Sequence, residues 1–185
     1  MLDIRSFGHL NIVVPNIDEA EKYYLEIFSA KLVASLPHLK NEGMSKNMNL
    51  DNLELSEKIL KFSHCNIVLG LTQYHSGEGK TDIVKYNIND MGGPRHIGLH
   101  VENIESAFDF LKGRSDVEIL NKSDYRPVTY SPIKPDQFHL ESQDADKNTG
   151  EKERLANLLS KKKAFYFRDK YGVIWEIEER TYHED

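Results

Sequence analysis

The chain has 185 residues, 39% of them hydrophobic, with 30 acidic against 24 basic side chains and a formal net charge of −6. That length can bury a sizeable core without disulfides or a structural metal, and the scattered acidic excess argues against a broad nucleic-acid-binding face. No apolar run is long enough to cross a membrane, no charged-then-apolar leader pattern opens the sequence, and the lone Cys65 cannot form an internal disulfide, so a cytoplasmic setting is expected.

In chain order, residues 7–14 read as a strand, and Asn16 or Asp18 caps a helix running to about 28. Ala20, Tyr23, Tyr24, Ile27 and Phe28 give that helix one apolar face. A second strand fits 31–37, the Asn- and Lys-rich stretch 40–56 reads as a polar loop excursion, and two further strands fit 58–63 and 66–74 around a tight SHCN turn. The first module, residues 5–75, is therefore βαβββ.

A linker over 75–93 carries HSGEGK and MGGP turn signals, after which the order restarts with a strand at 95–101, a helix at 104–113 and a strand at 117–121. AFYFRD at 164–169 and VIWEIEE at 173–179 form the closing pair of a second module, residues 94–182. An insertion over 122–163 interrupts it, holding Pro127, Pro132 and Pro135 first and an amphipathic helix, EKERLANLLSKKK, at its end. KKK at 161–163 reads as a solvated helix end. The expected fold class is α+β: one domain of two tandem βαβββ modules.

The two modules are copies. FGHLNIVVPNIDEAEKYY at 7–24 aligns without gaps on PRHIGLHVENIESAFDFL at 94–111, placing His9 on His96, Asn16 on Asn103 and Ile17 on Ile104. A polar ligand type kept at equivalent positions of a duplicated unit suggests a site shared by the copies. FSHCNIVLG at 62–70 set beside FRDKYGVIWE at 167–176, with one residue more in the second turn, places Gly70 on Glu176. His9, His96 and Glu176 then make one candidate metal set, with Gly70 vacant. Two imidazoles and a carboxylate leave open positions on a divalent ion, which suits catalysis better than a closed structural site. Glu176 also sits among Ile174, Trp175 and Ile177, where an unpaired carboxylate is costly.

GHLNIVVPNIDEAEKYY, RHIGLHVENIESAFDFL and FRDKYGVIWEIEE, whose close matches a D-x-x-G-x-x-x-E pattern, together resemble the vicinal oxygen chelate superfamily of glyoxalase I, methylmalonyl-CoA epimerase, extradiol dioxygenases and fosfomycin-resistance proteins. The resemblance implies paired modules whose sheets curve around a shared divalent ion (Zn, Ni, Mn, Co or Fe), with His9, His96 and Glu176 on ligand positions. Gly70 falls where glyoxalase I carries a glutamate and methylmalonyl-CoA epimerase a glutamine, which counts against both activities. YRPVTYSPIKPDQFHLE followed by AFYFRDKYGVIWEIEE resembles the branch that epimerises valiolone-type cyclic keto-sugars. The implied reaction is epimerisation or isomerisation at carbon next to a carbonyl, on a small molecule with vicinal oxygens. An iron(II) ring-cleaving dioxygenase and a non-catalytic binding or resistance protein are the alternatives.

For a catalytic base, strand periodicity puts His100 on the face of His96, with Asn11 beside His9, Thr72 beyond Gly70 and Glu178 beyond Glu176. His100 is the first candidate, because imidazole titrates near neutrality. His139 of the insertion is the second, and Arg126, Tyr130 and Lys134 are candidate substrate contacts. SGEGK at 76–80 lacks phosphate-loop spacing, and Cys65 has no activating partner in the sequence. One chain can complete the ligand set, and a homodimer is compatible with it.

Overall fold

The computed structural model describes residues 6–77, 79–121, 126, 127, 129, 132–137, 139, 140 and 146–180. The chain divides into two compact units, Met1–Asp82 and Ile83–Asp185, each holding one βαβββ module. No described helix is long and apolar enough to cross a membrane.

In the first unit, β1 (Leu10–Val13) leads into α1 (Ile17–Ile27), followed by β2 (Ala30–Lys40), α2 (Glu42–Met48), β3 (Glu54–Phe62) and β4 (Val68–Tyr74). The sheet order is β1-β4-β3-β2, with β1 parallel to β4 and the other pairs antiparallel. Helix α1 starts where Asn16 accepts hydrogen bonds from the backbone N–H groups of Asp18 and Glu19, satisfying donors that a helix start leaves without partners. Its buried Ile17, Ala20, Tyr23 and Tyr24 belong to the core that also takes Ile12, Leu60, Leu69 and Leu71 from the sheet. Lys58 lies in register with Leu71 on this core face. Its ammonium leaves the apolar layer by ion-pairing with Asp18 and Glu21 of α1.

The expected loop over 40–56 is replaced by structure. Strand β2 continues to Lys40, β3 begins at Glu54, and α2 stands between them, capped by the Asn41 side chain on the N–H of Met44 and by Asn49 in the left-handed conformation (φ 53°). Helix α2 buries no residue. It therefore has no apolar stripe, and its caps are the signals the sequence carries for it.

The second unit repeats the plan with β5 (Ile97–Val101), α3 (Ile104–Lys112), β6 (Val117–Ile119), β7 (Ala164–Asp169) and β8 (Ile174–Glu179) in the order β5-β8-β7-β6. Asn103 caps α3 as Asn16 caps α1. Trp175, Ile177, Phe165 and Phe167 from the sheet and Ile104, Phe108 and Leu111 from α3 are buried, with Phe108 edge-on to Phe165 at 5.2 Å. Within the insertion lie a short 3-10 turn, Pro135–Gln137, and the expected helix, α4 (Thr149–Lys161).

The lysines at the end of α4 are not the solvated cluster expected. Lys161 is exposed, but Lys162 reaches Glu178 at 3.3 Å with only 17% of its side chain exposed, and Lys163 pairs with Glu105 at 2.9 Å. The linker also has a structural role, since residues 83–86 lie against the second module. The Tyr86 carbonyl accepts from the buried Arg168 guanidinium at 2.8 Å, and Ile83 and Val84 border Gly172.

The β7–β8 turn explains the D-x-x-G pattern. Asp169, 3% exposed, accepts the backbone N–H groups of Tyr171 and Val173 on Oδ1, both at 2.9 Å, and the Trp175 indole N–H on Oδ2 at 2.8 Å. Gly172 takes a positive φ of 86°, with Ile83 and the Val84 carbonyl each 3.0 Å from where a Cβ would stand. Asp169 and Gly172 thus build the turn that puts Trp175 inward and Glu176 outward.

Candidate functional site

The strand registers align the two modules residue by residue. In the first, Leu10 pairs with Leu69 and Asn11 with Gly70; in the second, Ile97 pairs with Trp175 and Gly98 with Glu176. This is the correspondence of Gly70 with Glu176 expected from sequence. The third strands agree as well, because Ile59 pairs with Gly70 and Tyr166 with Glu176.

Each sheet has one face packed under its helix and one face turned away from it. The row Gly98–Glu176–Tyr166 crosses the open face of module 2, and His100 and Glu178 stand in the next row. The equivalent rows of module 1 read Asn11–Gly70–Ile59 and Val13–Thr72–Glu57. The copies have therefore diverged on this face: where module 2 has Glu176, Tyr166, His100 and Glu178, module 1 has Gly70, Ile59, Val13 and Thr72, and its carboxylate in these rows, Glu57, stands where module 2 has Ala164.

His96 stands just before β5, where its ring is exposed while its Nε2 lies 3.2 Å from Oε2 of Glu176. Glu176 keeps only 12% of its side chain exposed. Its other oxygen, Oε1, accepts the Tyr166 hydroxyl, and the Tyr166 ring meets the His96 ring edge-on at 5.6 Å between centroids. A carboxylate so placed is oriented by its neighbours rather than by water. Tyr166 is the site residue that sequence reasoning missed. Period-2 alternation puts it on the outward face of β7, but its partner depends on the β7–β8 register.

His100 pairs with Glu178 at 3.0 Å, and Lys162 reaches the same carboxylate oxygen. This row is separate from the His96–Glu176 pair and lies on the same face. His139, the second candidate base, sits on the insertion with 84% of its side chain exposed, 3.3 Å from Asp146. Asp146 is held well below the usual carboxylate range, first by Lys152 and then by the Leu140 N–H and His139. His139 therefore belongs to a local surface network of the insertion. Arg126 is exposed and 3.8 Å from Asp109, the Lys134 N–H is bonded to Gln137, and Tyr130 lies outside the described residues.

His9 occupies in module 1 the place of His96 in module 2, exposed and just before β1. Asn11 lies two residues further, and its Oδ1 accepts the hydroxyl of the buried Thr72 at 2.9 Å. Within either unit, the described residues gather no three His, Cys, Asp or Glu side chains as a ligand group. Module 2 brings together two. A half-buried carboxylate and an imidazole nitrogen facing each other at 3.2 Å are donors of the kind a divalent ion takes, so these two of the three expected ligands fit.

A sequence model described as the Glyoxalase/Bleomycin resistance protein/Dioxygenase superfamily matches residues 6–128. A 2-epi-5-epi-valiolone epimerase of Actinomyces sp is 22% identical over 131 residues, which are 70% of this chain and 69% of that protein. Among solved structures, a glyoxalase family protein from Bacillus cereus matches with a TM-score of 0.67 at 14% identity, covering 97% of each chain. The fosfomycin resistance protein FosX of Listeria monocytogenes, complexed with Mn(II) and sulfate, matches with a TM-score of 0.50 at 13% identity, covering 98% of this chain and 97% of the other. At such identities the structural likeness speaks for the fold.

Proposed function

Because the chain belongs to the Glyoxalase/Bleomycin resistance protein/Dioxygenase superfamily, we propose that it is a metal-dependent epimerase or isomerase that moves a proton on carbon next to a carbonyl, with a valiolone-type cyclic keto-sugar as the substrate class. The observation that carries this reading is the pair of rows on the open face of module 2. His96 and Glu176 supply ligand chemistry, and His100 with Glu178, one row away, supplies a separate base. The duplication and the family support His9 as the third ligand.

A divalent ion held by His9, His96 and Glu176 would supply Lewis acidity, lowering the cost of negative charge on a substrate carbonyl oxygen. Glu178 accepts a hydrogen bond from His100 Nε2, which selects the neutral tautomer with its lone pair on Nδ1 and supports the imidazolium formed when that nitrogen takes a proton. Lys162 balances the charge of Glu178 and keeps its carboxylate fixed. Tyr166 orients Glu176 by donating to the oxygen turned away from His96. His139, tied to Asp146 on the insertion, is not required in this scheme.

The test begins with metal content of protein purified without a chelating tag. About one equivalent of a divalent ion in the wild type, lost in His9→Ala and in Glu176→Ala, is expected. Incubation of 2-epi-5-epi-valiolone with loaded protein in deuterated water should then give deuterium at the carbon next to the carbonyl, and His100→Ala should lose that exchange while keeping the metal. Absence of any bound metal after reconstitution with zinc, nickel, manganese or iron would overturn the reading. Native iron with oxygen consumption on a catechol would replace it by a ring-cleaving dioxygenase.

A further inference from the structure

At the end of module 1 that carries α2, two histidines from the strands flanking β3 face each other. The ring of His38, on β2, and the ring of His75, just after β4, are nearly parallel, at 16°, with 5.6 Å between centroids. Each is tied through one nitrogen to the strand between them: Nε2 of His38 is 2.5 Å from Oε1 of Glu54, and Nε2 of His75 is 2.7 Å from Oγ of Ser56. These bonds fix the tautomers. Lys40, 2.9 Å from Oε2, holds the Glu54 carboxyl below its ordinary value, so the carboxylate only accepts and His38 carries a proton on Nε2. The Ser56 hydroxyl gives its one proton to the Pro37 carbonyl at 2.5 Å, so His75 also donates from Nε2. In each neutral ring the lone pair then lies on Nδ1. The two nitrogens of an imidazole point in nearly opposite directions, so both Nδ1 atoms turn away from β3. His38 keeps 54% of its side chain exposed and His75 is exposed, so solvent reaches that side of the pair.

We propose that His38 and His75 form a two-imidazole clip for a borderline divalent cation of the copper and zinc kind, lying wholly within module 1. Imidazole suits copper, nickel and zinc, and affinity among them is greatest for Cu(II). An ion about 2.0–2.1 Å from each nitrogen needs the two Nδ1 atoms within about 4.2 Å of each other. Rings 5.6 Å apart between centroids reach that span by leaning together about their Nε2 bonds. Glu54 and Ser56 are then the outer partners by which metal-bound histidines have their rings and tautomers fixed. No third His, Cys, Asp or Glu among the described residues joins the pair, so water takes the remaining positions on the ion. The clip stands on the α1 side of the sheet: Glu54 and Ser56 share the face of Lys58, and Gln73, opposite Ser56, accepts the Ile17 N–H at the start of α1. The row Asn11–Gly70–Ile59 is on the other face. Because β2 and β4 meet only through β3, an ion on the clip ties three strands together at the base of α2.

Titration with Cu(II), followed by electron paramagnetic resonance, tests the clip in a parent protein carrying His96→Ala and Glu176→Ala, so that the result does not depend on the reading of the open face. The expected outcome is about one equivalent of Cu(II) with the hyperfine pattern of two nitrogens, displaced by Zn(II) at higher concentration. His38→Gln or His75→Gln, each added singly, should weaken binding at least about tenfold. Both side chains are exposed, so these variants should melt with the parent. Glu54→Gln keeps the shape of the side chain but removes the charge to which His38 donates, and should weaken Cu(II) about tenfold. Affinity that stays within about twofold of the parent in either histidine variant would overturn the clip, as would a one-nitrogen pattern in the parent. Loss in both histidine variants with no effect of Glu54→Gln would overturn the role given to Glu54 as outer partner.

Discussion

Replacing Asp169 by Ala should be among the most damaging single changes in the second unit, and the cost can be worked from its partners. Loss of the carboxylate strands the Trp175 indole N–H, on a residue with 0% exposure, where no water replaces the acceptor. A buried donor left unsatisfied costs about 1–3 kcal/mol. The Tyr171 and Val173 N–H groups lie in a partly exposed turn, so each costs less, about 0.5–1.5 kcal/mol. The total is about 2–6 kcal/mol, which lowers the melting temperature by at least about 4 °C on the smallest conversion for a chain of this size. Trp175 is the chain's one tryptophan, so intrinsic fluorescence during a thermal ramp reads this unit directly. Asp169→Asn should fall between, since the amide keeps one acceptor but turns its NH2 toward donors. If Asp169→Ala melts within about 2 °C of wild type while Trp175 stays buried, the account of the turn as the device that sets β8 is wrong.

Tyr166→Phe removes the donor to Glu176 with little change of shape, and metal affinity should fall about tenfold, as for other groups that orient a ligand. Titration of the two proteins with Mn(II) checks this, and equal affinities would remove Tyr166 from the site. Glu118 tests pH dependence. The Arg168 guanidinium at 2.7 Å, first among its influences, and Lys85 hold its carboxyl below its ordinary value of 4.5. The native state then binds this proton less readily than the unfolded chain, so the stabilisation is present above pH 4.5 and is lost as pH falls through the lowered folded value. Glu118→Gln should therefore melt below wild type at pH 7, with the gap narrowing below pH 4.5; a gap that stays constant on acidification would refute the linkage.

Much of the architecture was legible because its signals are local. Strand alternation, the Asn16 and Asn103 caps and the D-x-x-G turn are properties of neighbouring residues, and the gapless duplication located His9 and His96 together. The alignment of the closing strands even placed Glu176 opposite an empty Gly70, which the registers bear out. Helix α2 was hidden because it buries nothing.

The tertiary structure alone decided which side chains meet. Tyr166 reaches Glu176, His100 reaches Glu178, and Asn11 lies over Gly70, each across two strands whose registers the one-dimensional pattern leaves open. Period-2 alternation assigns a residue to a face, but a cross-strand partner is fixed by hydrogen-bonded pairing of segments separated by 10 to 78 residues in these three contacts. Sequence therefore determined the candidate ligand types and the duplicated frame that carries them. Strand pairing decided that the charged partners of module 2 face one another and that, within module 1, the Asn11 amide lies over Gly70.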